Sequence, residues 1–505
     1  MLRRSYRLGL LAGPGSHNTM GLKRIACQPM LCRELHLVPF AAAEDSRTKL
    51  NGAKNAMQTE AATRRKWMVL PYVRNRTSAT HRMWINRFLA EKQQQALEKR
   101  AESGESQTDI PVILEKKMKD SYIEEYLLFK TEPDVKEEYL NVYGGIRIGK
   151  ILEDLDALAG SIGYLHCDDG RSETIPLTIV TASLDRIDML DVIPPDEDIR
   201  ISGHVTWVGT SSMEVSCWVE TVPEGAPQSG QSAFGVGQPS ADQRVPGKPI
   251  LAAKFSMVAR DPYTGKAAAI NQLKLETEEE RRLFKLGAEH KARKVAERRF
   301  DLSLIPPSFE EMSLVHDLYK EYIQYLDPTY NRDMPEDVKW MKDTLKQSLV
   351  MCMPQDRNIH GNVFGGYLIR LAYELAHSTG LIFCRSRIHF VALDDISFRK
   401  PVHVGSLLSL TSQVTYSSGS PSRSFQVKVR ADVLDPISDE QSTTNTFHFT
   451  FMALDGGSVP RVMPRSYDES MRYIEGKRKK ERWMQVAEHN TSIFAGGEGD
   501  RTKQR

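Results

Sequence analysis

The sequence predicts an α+β fold built twice: two similar domains in one chain, each a long central helix wrapped by an antiparallel sheet of about five strands. Three observations carry this. The stretch 358–380 (NIHGNVFGGYLIRLAYELAHSTG) enters through Gly365-Gly366 and then places Leu368, Leu371, Ala372, Leu375 and Thr379 at helical spacing, so one stripe is buried. The same pattern stands at 141–160 (NVYGGIRIGKILEDLDALAG), where Asn141, Gly144-Gly145 and Glu153 precede Asn362, Gly365-Gly366 and Glu374 by a constant 221 residues. After each helix the hydrophobic period changes to two, as strands require.

The elements follow in chain order. Residues 1–33 hold Arg3, Arg4, Arg7, Lys23, Arg24 and Arg33, with no acidic residue before Glu34. That composition predicts a mitochondrial presequence over 1–45, removed to leave a protein of the matrix. Residues 46–108 form a polar, basic extension; its basic-aromatic patch 64–87 reads as a helix covering the first domain rather than as a nucleic-acid or membrane surface. The first domain is expected over 109–275, with strands at 177–190, 199–208, 213–219 and 251–259, the last two separated by a Gly/Pro/Ser-rich loop. A charged helical linker, read as a solvated face, spans 276–335. The second domain covers 336–460, with strands at 345–351, 388–398, 407–415, 424–433 and 444–454, and a charged tail fills 461–505. In the strand region the repeat offset is 209 (LDRIDM at 184 against LDDISF at 393), so the first copy is expected to carry twelve extra residues near 167–176.

Composition narrows the function. Charge is balanced at 68 basic and 66 acidic residues, which implies no general affinity for nucleic acid. No apolar run approaches the length of a membrane span. The six cysteines form no C-x-x-C pair and no metal-ligand spacing, so they read as reduced structural thiols and no metal is expected. No G-x-S-x-G elbow is present, which argues against a serine hydrolase.

The order H-G-N-V-F-G-G at 360–366, a helix, DDISFRKPVHVG at 394–405 and a closing strand FHFTFMALD at 447–455 resembles the hotdog-fold acyl-coenzyme A thioesterases. The resemblance covers roughly residues 110–470. It implies two hotdogs packed side by side with their sheets joined, acyl-CoA as substrate with no cofactor besides the coenzyme A it carries, and further assembly into a homo-oligomer. It also implies that a loop Asn from one hotdog faces a helix carboxylate from the other, pairing Asn362 with Glu153 and Asn141 with Glu374. The family places its acid seven residues after the second glycine; counted from Gly145 and Gly366 those positions are Leu152 and Tyr373, one short of the glutamates.

The chemistry expected is thioester hydrolysis. A half-buried carboxylate, Glu153 or Glu374, is raised toward the range of a general base, with Asp154 as fallback and Asp156 taken as solvated. The helix starts at Gly144-Gly145 and Gly365-Gly366 offer free N–H groups to substrate, and an Asn amide orients the water. Asn141 and Asn362 are equally readable as turn formers, and His360 as a loop hydrogen-bonder. Two other readings stand beside this one: a hotdog hydratase or dehydratase on acyl thioesters, and a non-catalytic scaffold that binds CoA esters.

Overall fold

A ten-stranded antiparallel sheet runs through the molecule, its strands in the order Ile123–Leu127, Ile199–Val208, Ser212–Thr221, Pro249–Arg260, Thr178–Met189, Ile388–Ser397, Gln441–Ala453, Ser424–Leu434, Leu407–Tyr416 and Lys346–Met351. The structure is a computed structural model describing residues 112–498 apart from 172–173, 175, 224–246, 263, 298–301, 303, 359–360, 439 and 455–458. The expected presequence and basic extension, His360 and the Gly/Pro/Ser-rich loop lie outside the described residues.

The first half contains β1 (Glu115–Lys116), β2 (Ile123–Leu127), α1 (Pro133–Tyr139), α2 (Ile148–Cys167), β3 (Thr178–Met189), β4 (Ile199–Val208), β5 (Ser212–Thr221), β6 (Pro249–Arg260) and β7 (Gln272–Leu273). Two helices follow, α3 (Glu278–Glu297) and α4 (Phe309–Leu326). The second half contains β8 (Val338–Trp340), β9 (Lys346–Met351), α5 (Gly365–Cys384), β10 (Ile388–Ser397), β11 (Leu407–Tyr416), β12 (Ser424–Leu434), β13 (Gln441–Ala453), β14 (Arg461–Met463) and the closing helix α6 (Tyr467–Glu498). The mixed helix and antiparallel-sheet class is the one the sequence predicts.

The halves meet where β3 pairs antiparallel with β10. Leu184 faces Ile396 and Ile187 faces Leu393, so residues related by the 209-residue repeat exchange places across a local two-fold. The four side chains are buried. The two residues of each strand are three apart, so simple alternation would not place them on one face; β3 shifts register against β6 between Leu184 and Arg186, and one side of the sheet carries the two long helices α2 and α5. On that side α2 and α5 pack against the sheet and against each other, with Leu152, Leu155, Leu158 and Ile162 of α2 and Ile369, Ala372 and Ala376 of α5 fully buried.

The register of the repeat needs correction. Helix α5 starts 217 residues after α2 and both are 20 residues long. The preceding turns agree. Asn141 N–H donates to the Gly145 carbonyl (2.7 Å) and Asn358 N–H to the Asn362 carbonyl (2.6 Å), while Gly144 and Gly361 both have φ +79°. Asn141 therefore matches Asn358, and Asn362 matches Gly145. The strands keep the offset of 209, since the bulge between Val205 and Trp207 in β4 recurs between Val414 and Tyr416 in β11. The first copy thus carries eight extra residues before its strands, not twelve. Sliding one copy by about one helical turn keeps the apolar stripe in phase, which is why the sequence admits both registers.

The linker also departs from a plain solvated face. Helix α3 lies on β4, where Gly287 sits flush on Trp207, Lys291 Nζ stands 4.6 Å from the Trp207 ring centre, and Lys294 pairs with Asp185 of β3. Helix α4 starts in a capping box between Ser308 and Glu311, and Glu311 also takes Arg478 of α6 at 2.6 Å.

Candidate active site

The N-terminal halves of α2 and α5 lie side by side and run in opposite directions, which only glycine permits. A Cβ on Gly366 would stand 2.8 Å from the Glu153 carbonyl oxygen, and one on Gly149 3.1 Å from Arg370 Cγ. These contacts exchange under the 217-residue offset, so the two-fold of the sheet also runs between the helices.

This crossing brings Asp156 of α2 to the start of α5. An added Cβ on Gly365 would lie 3.0 Å from Asp156 Oδ2 and 3.5 Å from the Phe398 ring. The Gly366 N–H donates to the Asp156 carboxylate, and Thr181 Oγ1 donates to Asp156 Oδ1 at 2.9 Å. The residue before α5, Phe364, has no side chain able to cap it. The carboxylate of the other half supplies that cap, where the helix dipole favours negative charge. Asp156 is 2% exposed, contrary to its expected solvation. Burial pushes its carboxyl up from 3.8 to about 6, against the lowering pull of the Thr181 and Gly366 hydrogen bonds. A carboxylate so placed is ionised at neutral pH and basic enough to accept a proton.

The residues singled out in the sequence fall elsewhere. Glu374 is half-exposed and pairs with Arg147 at 2.7 Å; Glu153 is buried and pairs with Arg370 at 2.8 Å. Each glutamate is thus matched to an arginine of the opposite half. Asp154 is buried and accepts the Tyr139 hydroxyl at 2.5 Å. Asn141 is a turn former: its Oδ1 accepts the N–H groups of Tyr143 (2.8 Å) and Gly145 (3.1 Å). Gly144 and Gly145 belong to that turn and precede α2, whereas Gly365 and Gly366 form the first turn of α5. In the second half Asn358 takes the turn role, its Oδ1 accepting Asn362 N–H at 3.2 Å. The Asn362 side chain is free of that duty and lies three residues before the α5 start that meets Asp156.

The mirror position holds different chemistry. Asn362 becomes Gly145, Asp156 becomes Tyr373 and Thr181 becomes Phe390. Tyr373 is buried, with ring centres 5.5 Å from Phe390 and 6.0 Å from Phe449. The carboxylate and the amide therefore each stand on one side of the two-fold only, Asp156 on α2 and Asn362 before α5. A signal for this lay in the sequence: N-x-x-G recurs at 141 and 358, and with Gly149 as second glycine the seven-residue spacing falls on Asp156.

Relatives align with most of the chain. Acyl-coenzyme A thioesterase 9, mitochondrial, of Mus musculus is 40% identical over 372 residues, covering 73% of this chain and 79% of the relative. The chain belongs to the acyl-coenzyme A thioesterases. The Homo sapiens protein of the same name is 41% identical over 368 residues (72% and 77% covered), and acyl-coenzyme A thioesterase 2, chloroplastic, of Humulus lupulus is 36% identical over 357 residues (69% and 77%). No protein-family profile matches the chain. Among solved structures, an acyl-CoA hydrolase from Staphylococcus aureus aligns at 25% identity over 32% of this chain and 99% of its own, with TM-score 0.29.

Proposed function

We propose that this thioesterase hydrolyses acyl-CoA at one composite site, with Asp156 of the first half as general base and Asn362 and the start of α5 from the second half binding the thioester. The observation that carries the reading is the buried Asp156 carboxylate held across the helix crossing at Gly365 and Gly366. On this reading the two halves are hotdog domains, 109–275 and 336–460, sharing one sheet. Asp156 takes a proton from a water as the water oxygen attacks the thioester carbon. The oxyanion that forms is met by N–H groups of the first turn of α5 and by the Asn362 amide. Collapse of the adduct breaks the C–S bond, and Asp156 returns the proton to the departing sulfur, giving a fatty acid and CoA. Coenzyme A enters as part of the substrate, and the reading calls for no separate cofactor.

A cleft of about 450 Å³ opens beside the starts of α2 and α5, lined by neither Asp156 nor Asn362, and we read it as room for the CoA moiety. Tyr367 and Met353 give it apolar wall, and Arg147, Lys150 and Arg370 give it cations suited to the phosphates of CoA. Among the described residues no helix is long and apolar enough to cross a membrane. The Mus musculus and Homo sapiens relatives are named mitochondrial and residues 1–33 are acid-free, so we place the enzyme in the mitochondrion, in the matrix, as a homo-oligomer of such double units.

Release of free thiol from an acyl-CoA chain-length series tests the proposal. Asp156→Asn should lose about 10²–10⁴-fold in turnover, and Asn362→Gly less. Tyr373→Phe, altering the mirror position, should leave turnover within about twofold. Full activity of Asp156→Asn would end this reading.

A further inference from the structure

The Asn362 side chain is itself held, and by a residue that neither the composite site nor the family resemblance assigns. His403 Nδ1 stands 2.9 Å from Asn362 Oδ1. The backbones of the two residues are bridged antiparallel, with Val363 N–H donating to the Val402 carbonyl at 2.8 Å. On the far side His403 is fixed by its turn. Ser406 N–H donates to the His403 carbonyl at 3.2 Å, and Gly405, at φ +89°, donates its N–H to the Cys352 carbonyl at 2.7 Å. An L side chain at position 405 would be strained in that conformation, so the turn that aims the imidazole depends on glycine. At the other end the Asn362 backbone is bonded on both sides by Asn358. Asn362 therefore has a clamped backbone and one end of its amide bound.

We propose that His403 is a positioning residue for the thioesterase reaction: its Nδ1–H donates to Asn362 Oδ1 and so turns the amide nitrogen, the end that donates, toward the thioester. The inference rests on the composite site proposed above. An asparagine amide is a symmetric-looking fork whose two ends have opposite hydrogen-bonding character. Left alone at an exposed loop, it presents acceptor or donor almost equally. A thioester carbonyl gathering negative charge needs a donor, and an acceptor there is repulsive. A fixed donor on Oδ1 selects the productive orientation before substrate arrives, which is preorganisation at the cost of one hydrogen bond. The first half shows the alternative. There the turn asparagine, Asn141, spends its Oδ1 on its own backbone, and the residue 209 before His403 is Pro194, which offers no side-chain donor. The device exists only in the half that keeps Asn362.

The test is a series of variants in the full-length protein, assayed by thiol release with kcat and KM separated. In His403→Asn the side-chain amide nitrogen can occupy the place of Nδ1 and donate, so kcat should stay within about threefold of wild type. His403→Asp offers only acceptors, which attract the amide nitrogen and turn the carbonyl oxygen toward substrate. His403→Ala leaves the amide unbiased. We expect kcat to fall roughly tenfold in His403→Ala and further in His403→Asp, with KM changed less than twofold, because the amide matters most when the oxyanion forms. In an Asn362→Gly background, His403→Ala should have no further effect, as members of one unit are not additive. If Asn362→Gly and Asp156→Asn are impaired while His403→Asp equals wild type, this inference fails and the composite site stands. If Asn362→Gly is itself as active as wild type, the composite site fails first. A His403→Ala loss that persists undiminished without Asn362 would also overturn the inference, since His403 would then act through something else.

Discussion

Replacing Asp156 by Asn should make the protein more stable and nearly inactive at once. The carboxyl group is buried and its pKa stands at about 6 rather than the ordinary 3.8. Two pKa units at 1.36 kcal/mol each mean that holding the ionised form in the fold costs roughly 3 kcal/mol at neutral pH. The sign follows from the raised value. The cost is fully present above about pH 6, where both folded and unfolded chains carry the charge, and it fades as pH falls toward 3.8, where the folded state is already protonated. Asparagine keeps the shape, with its oxygen able to accept from Gly366 N–H and its nitrogen able to donate to Thr181 Oγ1, but carries no charge. Asp156→Asn should therefore raise unfolding free energy by up to about 3 kcal/mol at pH 7, and by about 1 kcal/mol at pH 4.5. Urea unfolding at the two pH values measures this, alongside thiol release. Turnover should fall by about 10²–10⁴-fold. In the wild type, kcat/KM should rise with pH through about 6 and then level, the limb belonging to the base. A variant that is destabilised at pH 7, or whose gain is equal at both pH values, would refute the claim that burial of the charge sets this pKa.

Three further outcomes follow from the helix crossing. Gly366→Ala places a methyl 2.8 Å from the Glu153 carbonyl oxygen, so the helices must part; a stability loss of about 1–3 kcal/mol and a large loss of turnover are expected from denaturation curves and thiol release. Gly149→Ala meets only the side chains of Arg370 and Tyr373 at 3.1 and 3.3 Å, with the Arg370 carbonyl farther off, and should cost less in both measures. Glu374→Ala removes a half-exposed ion pair worth at most about 1 kcal/mol and should leave turnover within about twofold, whereas Glu153→Ala takes the carboxylate from part-buried Arg370 and should destabilise by about 1–3 kcal/mol while the folded fraction stays active.

Strands were legible in the sequence because alternation and turn residues are local signals. β4 is matched to the residue, and β10 and β11 to within one residue at their ends. The two central helices were legible from their apolar stripes. The register between the halves was not, because a helix looks alike after a shift of about one turn. Moving one copy by four residues lays Gly144-Gly145 on Gly365-Gly366 and Glu153 on Glu374, a match in letters that the hydrogen bonds of the turns contradict. The fate of Asp156 was hidden for a related reason. An acidic LEDLDA segment reads as a solvated face when each helix is considered alone, but α2 is clasped between α5 and the sheet, so Glu153, Asp154 and Asp156 are all buried. Polar residues on such a helix are satisfied by the other half of the chain, and sequence periodicity carries no information about that half.

The same physics explains why the acid appears on one side of the two-fold only. Holding Asp156 ionised in the fold lowers stability by roughly 3 kcal/mol, and a symmetric pair of such sites would incur that twice. In a dimer of identical chains the second cost is unavoidable, because every residue occurs at both positions. Joining the two copies in one chain removes the constraint. At the mirror position Tyr373 puts an aromatic ring where the carboxylate would sit, packed edge-on against Phe390 and Phe449. Such pairs add about 0.5–1.5 kcal/mol beyond the area they bury. The loop opposite has lost its amide, with Gly145 standing where the other half has Asn362. On the proposed reading each half keeps the part of the site that it alone contributes: the carboxylate on α2, and the amide and open helix start on α5. Neither half holds both, so on this reading activity depends on the β3–β10 seam staying closed, and a variant that opens the seam should lose turnover before either half unfolds.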